Sequence, residues 1–205
     1  MKYSPYSFSK ISTHSWCNRK FKYAVIDKVP KEESDKTALL KGGAVHSMLE
    51  NYPNKSNHKL APKYQPIFDN FLNSELGQKY LLKESVKEYK FALDKNLEPQ
   101  EYNNSALLRG FIDAIIIVDD ILHILDWKTG KFKDQRFQDF NQLIIYGIYF
   151  FQKYPQINKI KLSYVYVEHN LENELIIYRK YLQNYINDLL NKISIIENDT
   201  EFKKM

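Results

Sequence analysis

Residues 107–131 read Leu107-Leu-Arg-Gly-Phe-Ile-Asp113-Ala-Ile-Ile-Ile-Val-Asp-Asp120-Ile-Leu-His-Ile-Leu-Asp126-Trp-Lys128-Thr-Gly-Lys131. Two apolar, β-branched runs flank Asp119-Asp120, the pattern of an antiparallel hairpin with a tight turn. With those two residues as the turn, Val118 faces Ile121 and Asp113 falls opposite Asp126. A four-residue loop keeps this register, whereas a three- or five-residue loop breaks it. Side chains alternate along a strand, so Lys128 shares the face of Asp113 and Asp126. The other face carries Ile112, Ala114, Ile116, Val118, Ile121, His123, Leu125 and Trp127, nearly all apolar, and reads as core.

Opposed residues in an antiparallel pair hold their Cβ atoms roughly 4.5–5.5 Å apart, and like charges there are destabilising. At ~5 Å and an effective dielectric of ~20, two carboxylates repel by roughly 3 kcal/mol. A divalent cation between them turns repulsion into attraction, and oxygen donors suit magnesium or manganese. The alternative is one aspartate solvated at a strand end while Lys128 neutralises the other. Arg109 falls on the Asp113 face by alternation, where it serves a phosphate or a plain surface ion pair.

The chain of 205 residues is long enough for a full core, and 43% hydrophobic with 27% charged residues is globular. A net charge of +5 and a pI near 9.0 permit a polyanionic partner without proving one. Sixteen Tyr and twelve Phe offer base-stacking surfaces, although most aromatics pack. A single cysteine, Cys17, excludes an intramolecular disulfide and any all-cysteine metal cluster. Neither a signal peptide nor eighteen consecutive apolar residues is visible, so the expectation is a soluble cytoplasmic protein with no membrane partner. Without a repeat or a Gly/Pro-rich linker, one domain over 1–205 is the simplest organisation: a core of about 35–168, an N-terminal helical segment over 1–34, and a C-terminal strand and helix over 169–205.

Outward from the hairpin, Ser7 or Ser9 caps a short helix, with Ile11, Trp16, Phe21 and Tyr23 available for burial. Arg19, Lys20 and Lys22 form a basic side, solvated or touching phosphate. Ser34-Asp35 caps a helix over Thr37–Tyr52, in which Gly42 and Gly43 point to close packing and His46 and Glu50 share one face. Residues 53–83 read as a loop, with His58 exposed, and one or two helices. Glu84–Asp94 alternates as a strand paired with Leu107–Val118, but the loop between them leaves the register of Glu88 against Asp113 open. A buried helix runs from about Phe137 to Tyr154, stopped by Pro155, with Gln142 and Tyr146 on one face needing polar partners. Strands over Lys159–Glu168 and Leu171–Tyr178 and a helix over Tyr181–Glu197 follow, with a frayed tail. The class is α/β, a mixed α+β sandwich.

Four pieces stand in order: Gly43-x-x-His46-x-x-x-Glu50, Gly110-Phe-Ile-Asp113, Leu125-Asp126-Trp-Lys128-Thr-Gly130 and Gln142-x-x-x-Tyr146. Together they resemble the PD-(D/E)XK nuclease superfamily and its RecB-like exonuclease branch, as does the opening Ser7-Phe-Ser9 through Cys17-Asn-Arg-Lys-Phe21. The resemblance implies a restriction-endonuclease-like core, a central mixed sheet flanked by helices in the order αβββαβ with helices added at both ends. It implies a divalent metal, Mg2+ or Mn2+, held by His46, Asp113, Asp126 and the Trp127 carbonyl. Lys128 would orient or deprotonate the attacking water, Gln142 and Tyr146 would contact the DNA backbone or brace the site, and Glu50 and Glu88 would stand behind the ligands.

Ile112 occupies the superfamily's nominal proline position, a departure that branch tolerates. Relatives with an iron–sulfur cluster, including CRISPR-adaptation nucleases, need three further cysteines that this chain lacks, so no cluster is expected. The resulting reading is a metal-dependent exonuclease on linear, end-bearing DNA. Its setting would be phage or bacterial recombination, replication or repair, alone or recruited by a partner protein. A structure-specific endonuclease, a CRISPR-adaptation-type nuclease and a silent DNA-binding module are the alternatives.

Overall fold

The computed structural model describes residues 1–30, 35–53 and 62–203; Ser34 and His58 lie outside them. In chain order the elements are α1 (Phe8–Trp16), α2 (Asn18–Phe21), α3 (Thr37–Asn51), α4 (Gln65–Leu72), α5 (Glu75–Leu81), β1 (Ser85–Leu93), β2 (Leu108–Val118), β3 (Ile121–Lys128), α6 (Asn141–Lys153), β4 (Lys159–Tyr166), β5 (Leu171–Tyr178) and α7 (Leu182–Asn198). The five strands form one sheet in sequence order, antiparallel except at β3–β4, which is parallel because α6 crosses between them. The fold is the mixed α/β architecture expected, with helices on both faces.

Asp119 and Asp120 have φ of 51° and 60°, and Val118 pairs with Ile121. Two left-handed residues in a two-residue loop make a type I′ turn, whose twist matches the flanking strands, and aspartate tolerates that conformation better than bulky residues do. This turn sets the register of the five pairs from Val118↔Ile121 to Ala114↔Leu125.

Both faces of the sheet are apolar. Ala114, Ile116, Leu125 and Trp127 pack beneath α3, α4 and α5. Ile115, Ile124, Ile160 and Leu162 pack beneath α6 and α7. Ile112, expected beside Ala114, instead joins the second group with Phe91 and Leu108. Strict alternation therefore breaks at Asp113. Across from it, Glu88 has φ of 48°, and the ladder steps from Lys87↔Ala114 to Tyr89↔Ile112. The same register settles the open question of Glu88, which lies alongside Asp113.

Three expectations are corrected. The crossover helix starts at Asn141 rather than Phe137, because Gln138 is extended and Asp139 Oδ1 accepts from Asn141 N at 2.8 Å, two residues on, just ahead of the helix. Trp16 and Tyr23 are 83% and 48% exposed, since Ile11, His14 and Phe21 fill the inward side of α1 and α2. The tail is docked through Phe202: its ring stacks on Phe21, and His14 meets Asp199 at 2.8 Å.

Ser7 caps α1 and Asp35 Oδ1 accepts from Thr37 N ahead of α3. A Cβ on Gly42 would sit 3.4 Å from Thr129 Oγ1, so α3 passes close to the end of β3, while Gly43 faces open space. Gly77 is far tighter: a Cβ there would lie 1.9 Å from the Phe71 carbonyl oxygen. Backbone cannot yield cheaply, so Gly77→Ala pushes α5 off α4 and loosens the Trp127 core. We expect a loss of about 3 kcal/mol, a Tm drop of roughly 6–12 °C by calorimetry. Among the described residues no helix is long and apolar enough to cross a membrane.

Candidate active site

Trp127 anchors the end of β3. Its ring packs edge-on against Phe71 and Tyr80, with centroids 5.9 and 6.5 Å apart. With Trp127 committed to one face, its neighbours Asp126 and Lys128 emerge on the other, under α6. The β2–β3 ladder stops at Ala114↔Leu125; beyond it, Asp113 Oδ2 accepts the Trp127 N–H at 2.8 Å. A carboxylate thus replaces a ladder carbonyl, which holds Asp113 beside Asp126 where the strands part.

Asp126 is 5% exposed. Its Oδ1 accepts from Gln142 Nε2 at 2.8 Å, and the same amide donates to the Tyr146 hydroxyl at 2.8 Å. These are the polar partners that a Gln and a Tyr on a buried helix require. The Lys128 ammonium stands 2.5 Å from Asp126 Oδ2 and 4.8 Å over the Tyr164 ring. Lys128 therefore takes the neutralising position weighed above.

His46 arrives from α3, which Val45, Met48 and Leu49 seat on the sheet. Lys87 Nζ fixes the far end of that helix by donating to the carbonyls of Leu49 and Tyr52. His46 Nε2 lies 2.8 Å from the Trp127 carbonyl oxygen and Nδ1 lies 3.5 Å from Asp113 Oδ2. A carbonyl only accepts, so Nε2 carries the hydrogen, and burial lowers the imidazole pKa. In the neutral ring the Nδ1 lone pair then faces the Asp113 carboxylate. A proton on Asp113 or a bound cation between these two electron-pair donors relieves their repulsion.

Burial and then the charge of Asp126 push the Asp113 pKa well above the ordinary carboxylate range; the Trp127 N–H and Lys128 offset this only in part. Glu88 is raised as well, by burial and then by Glu50. The donor set (two carboxyl groups, an imidazole lone pair and a peptide carbonyl) has the chemistry to hold a divalent cation. It is not a preformed cage: among the described residues no three His, Cys, Asp or Glu side chains are already gathered around one point. Lys128 and the His46 N–H cover lone pairs of Asp126 and of the Trp127 carbonyl, the atoms a cation would take over.

The structure thus gathers His46, Asp113, Asp126, Lys128, Gln142 and Tyr146, with Glu88 alongside. Arg109 does not join them. Its guanidinium bonds Asn103 O at 3.2 Å and Asn104 Oδ1 at 2.8 Å and lies 5.0 Å over Tyr102, which favours the local role over the phosphate role. Glu50 is exposed on α3. Tyr164, which lies opposite Asp126 in the parallel pair, escaped the sequence reading. Its alternation was visible, but no sequence signal fixes the register of strands joined through a helix.

Fold and site together define an α/β protein built around an acidic pair and a lysine at the open end of a mixed sheet. A sequence model of the PD-(D/E)XK nuclease superfamily matches residues 5–204, and the chain belongs to that superfamily, a family of phosphodiester hydrolases. No curated protein sequence matches the chain. A solved structure titled "Crystal structure of SSO0001" aligns over 90% of this chain and 87% of that one, at 16% identity and a TM-score of 0.33.

Proposed function

We propose that the chain is a divalent-metal-dependent DNA exonuclease acting on linear DNA in phage or bacterial recombination, replication or repair. The observation that carries this reading is the meeting of Asp113 and Asp126 where β2 and β3 part, with Lys128 on the Asp126 face and His46 opposite. His46, Asp113, Asp126 and the Trp127 carbonyl would hold Mg2+ or Mn2+, which when bound supplies Lewis acidity and a water of lowered pKa. Lys128, a compact charge on a flexible stem, exchanges its contact with Asp126 for the attacking water or a non-bridging phosphate oxygen. Gln142 fixes the Asp126 rotamer through Oδ1 and is itself held by Tyr146. The preference for ends rests on the resemblance of the four motifs to the RecB-like branch.

Covalently closed and linear forms of one plasmid, incubated with Mg2+ or Mn2+, test the reading. Linear DNA should vanish while the circle persists, and Lys128→Ala should stop the loss. Cutting of the circle would convert the assignment to an endonuclease. An inert wild-type chain that still binds DNA would leave a binding module.

A further inference from the structure

The segment from Thr129 to Phe140 leaves the sheet directly after Lys128 and returns two residues before Gln142, so site residues bound it at both ends. It carries Lys131, Phe132, Lys133, Arg136 and Phe137, basic and aromatic residues interleaved, and residues 131–137 are all exposed. Phe137 is 77% exposed.

That exposure is not slack in the loop. Gln135 bonds the backbone of β5 twice, donating to Glu174 O at 2.7 Å and accepting from Glu174 N at 3.2 Å. Asn173 donates to Lys133 O at 2.7 Å, and the Tyr166 hydroxyl donates to Gln138 at 2.6 Å. Phe137 N donates to Asp134 O at 2.9 Å. Asp134 grips the Arg136 guanidinium through both oxygens at 2.9 Å, with that guanidinium 5.7 Å from the Phe137 ring. Phe132, by contrast, is about half as exposed and meets Tyr166 edge-on, with centroids 5.0 Å apart. The loop is thus pinned on either side of Phe137 and presents that ring outward near Lys131 and Lys133, while Arg136 is already paired with Asp134.

A single exposed apolar side chain is common on protein surfaces. A rigidly held aromatic beside lysines, in a loop whose two ends adjoin the residues of a phosphodiester site, has a more specific use. An unpaired base stacks on an aromatic face whatever its sequence, while lysines follow the backbone. Resting on the nuclease reading, we propose that Phe137 is the base-stacking residue of this site. It captures an unpaired nucleotide at the end of the substrate, so that single-stranded or frayed ends are taken in preference to fully paired ones.

The test measures binding apart from hydrolysis. Anisotropy of fluorescein-labelled oligo-dT and of a blunt hairpin duplex is read in EDTA for wild type, Phe137→Ala, Phe137→Leu and Phe137→Tyr. Hydrolysis of the same two substrates is read in Mg2+, and Tm confirms that each variant is folded. Phe137→Ala should weaken oligo-dT binding about tenfold and duplex binding by less than about threefold. Phe137→Tyr should bind like wild type and Phe137→Leu like the alanine variant, a split that a merely apolar contact would not produce. Equal losses on the two substrates, or no loss on oligo-dT, would overturn the proposal. If wild type hydrolyses neither substrate, the nuclease reading fails, and the EDTA arm still decides the role of Phe137.

Discussion

Asp126→Ala should cut metal-dependent nucleotide release by about 10³-fold while the chain stays folded. The size follows from how many roles converge on this carboxylate. Oδ1 is fixed by Gln142 and Oδ2 is faced by Lys128, so one side chain sets the position of the group that would hold the cation and of the cation that serves the phosphate. Truncation leaves the Gln142 amide and the Lys128 ammonium without their common partner and removes one of the two opposed acids. A gel or acid-soluble assay at saturating Mg2+ reads the loss in kcat. Raising Mg2+ further should not restore it, because Lys128 has also lost its anchor. Activity within tenfold of wild type would show that the reaction does not pass through Asp126.

Asp113→Asn should do two opposite things at once. It should lower activity by about 10²–10³-fold, and in EDTA at neutral pH it should make the protein more stable, by roughly 2 kcal/mol or a Tm rise of about 4–8 °C. The amide oxygen still accepts the Trp127 N–H, so the backbone link survives while the group that must take up a proton on folding goes. In the folded chain the Asp113 pKa is raised, by burial first and Asp126 second, so the native state binds a proton that the unfolded chain has released. Stability from such a group is complete below the unfolded carboxylate pKa of about 4 and drains away as pH rises through the elevated folded value. The variant's advantage should therefore disappear near pH 4 and grow toward neutral pH, as read by thermal denaturation across that range. Mg2+ should raise the Tm of wild type more than that of Asp113→Asn, since ligand binding to the native state adds stability by mass action.

Much of this site is legible in the order of residues because a two-residue turn propagates a register. Asp119-Asp120 between apolar runs fixes Val118 against Ile121, and counting outward brings Asp113 to Asp126 and places Lys128 on the Asp126 face. What the count does not contain is the break at Asp113. Glu88 leaves the β region, the ladder ends, and the Asp113 side chain takes over as acceptor for Trp127 N. Alternation assumes an uninterrupted ladder, so it misplaced Ile112. Gln142 and Tyr146 were visible as polar residues on an apolar helix that needed partners, but the identity of the partner, Asp126, depends on where the crossover seats α6. Tyr164 was invisible for the same reason. The sequence places the start of α6 at about Phe137, four residues before Asn141, where the helix begins. Local bonds from Gln135, Gln138 and Asp139 keep Phe137 out of the helix.

The central claim is that Asp113 and Asp126 act together as one divalent-cation site, and Mn2+ titration by calorimetry tests it without any substrate. Wild type should bind with defined stoichiometry and release protons at neutral pH. Asp113→Asn and Asp126→Asn should each weaken binding by at least about tenfold, as their double variant should. Mn2+ binding that persists unchanged in both single variants would contradict it.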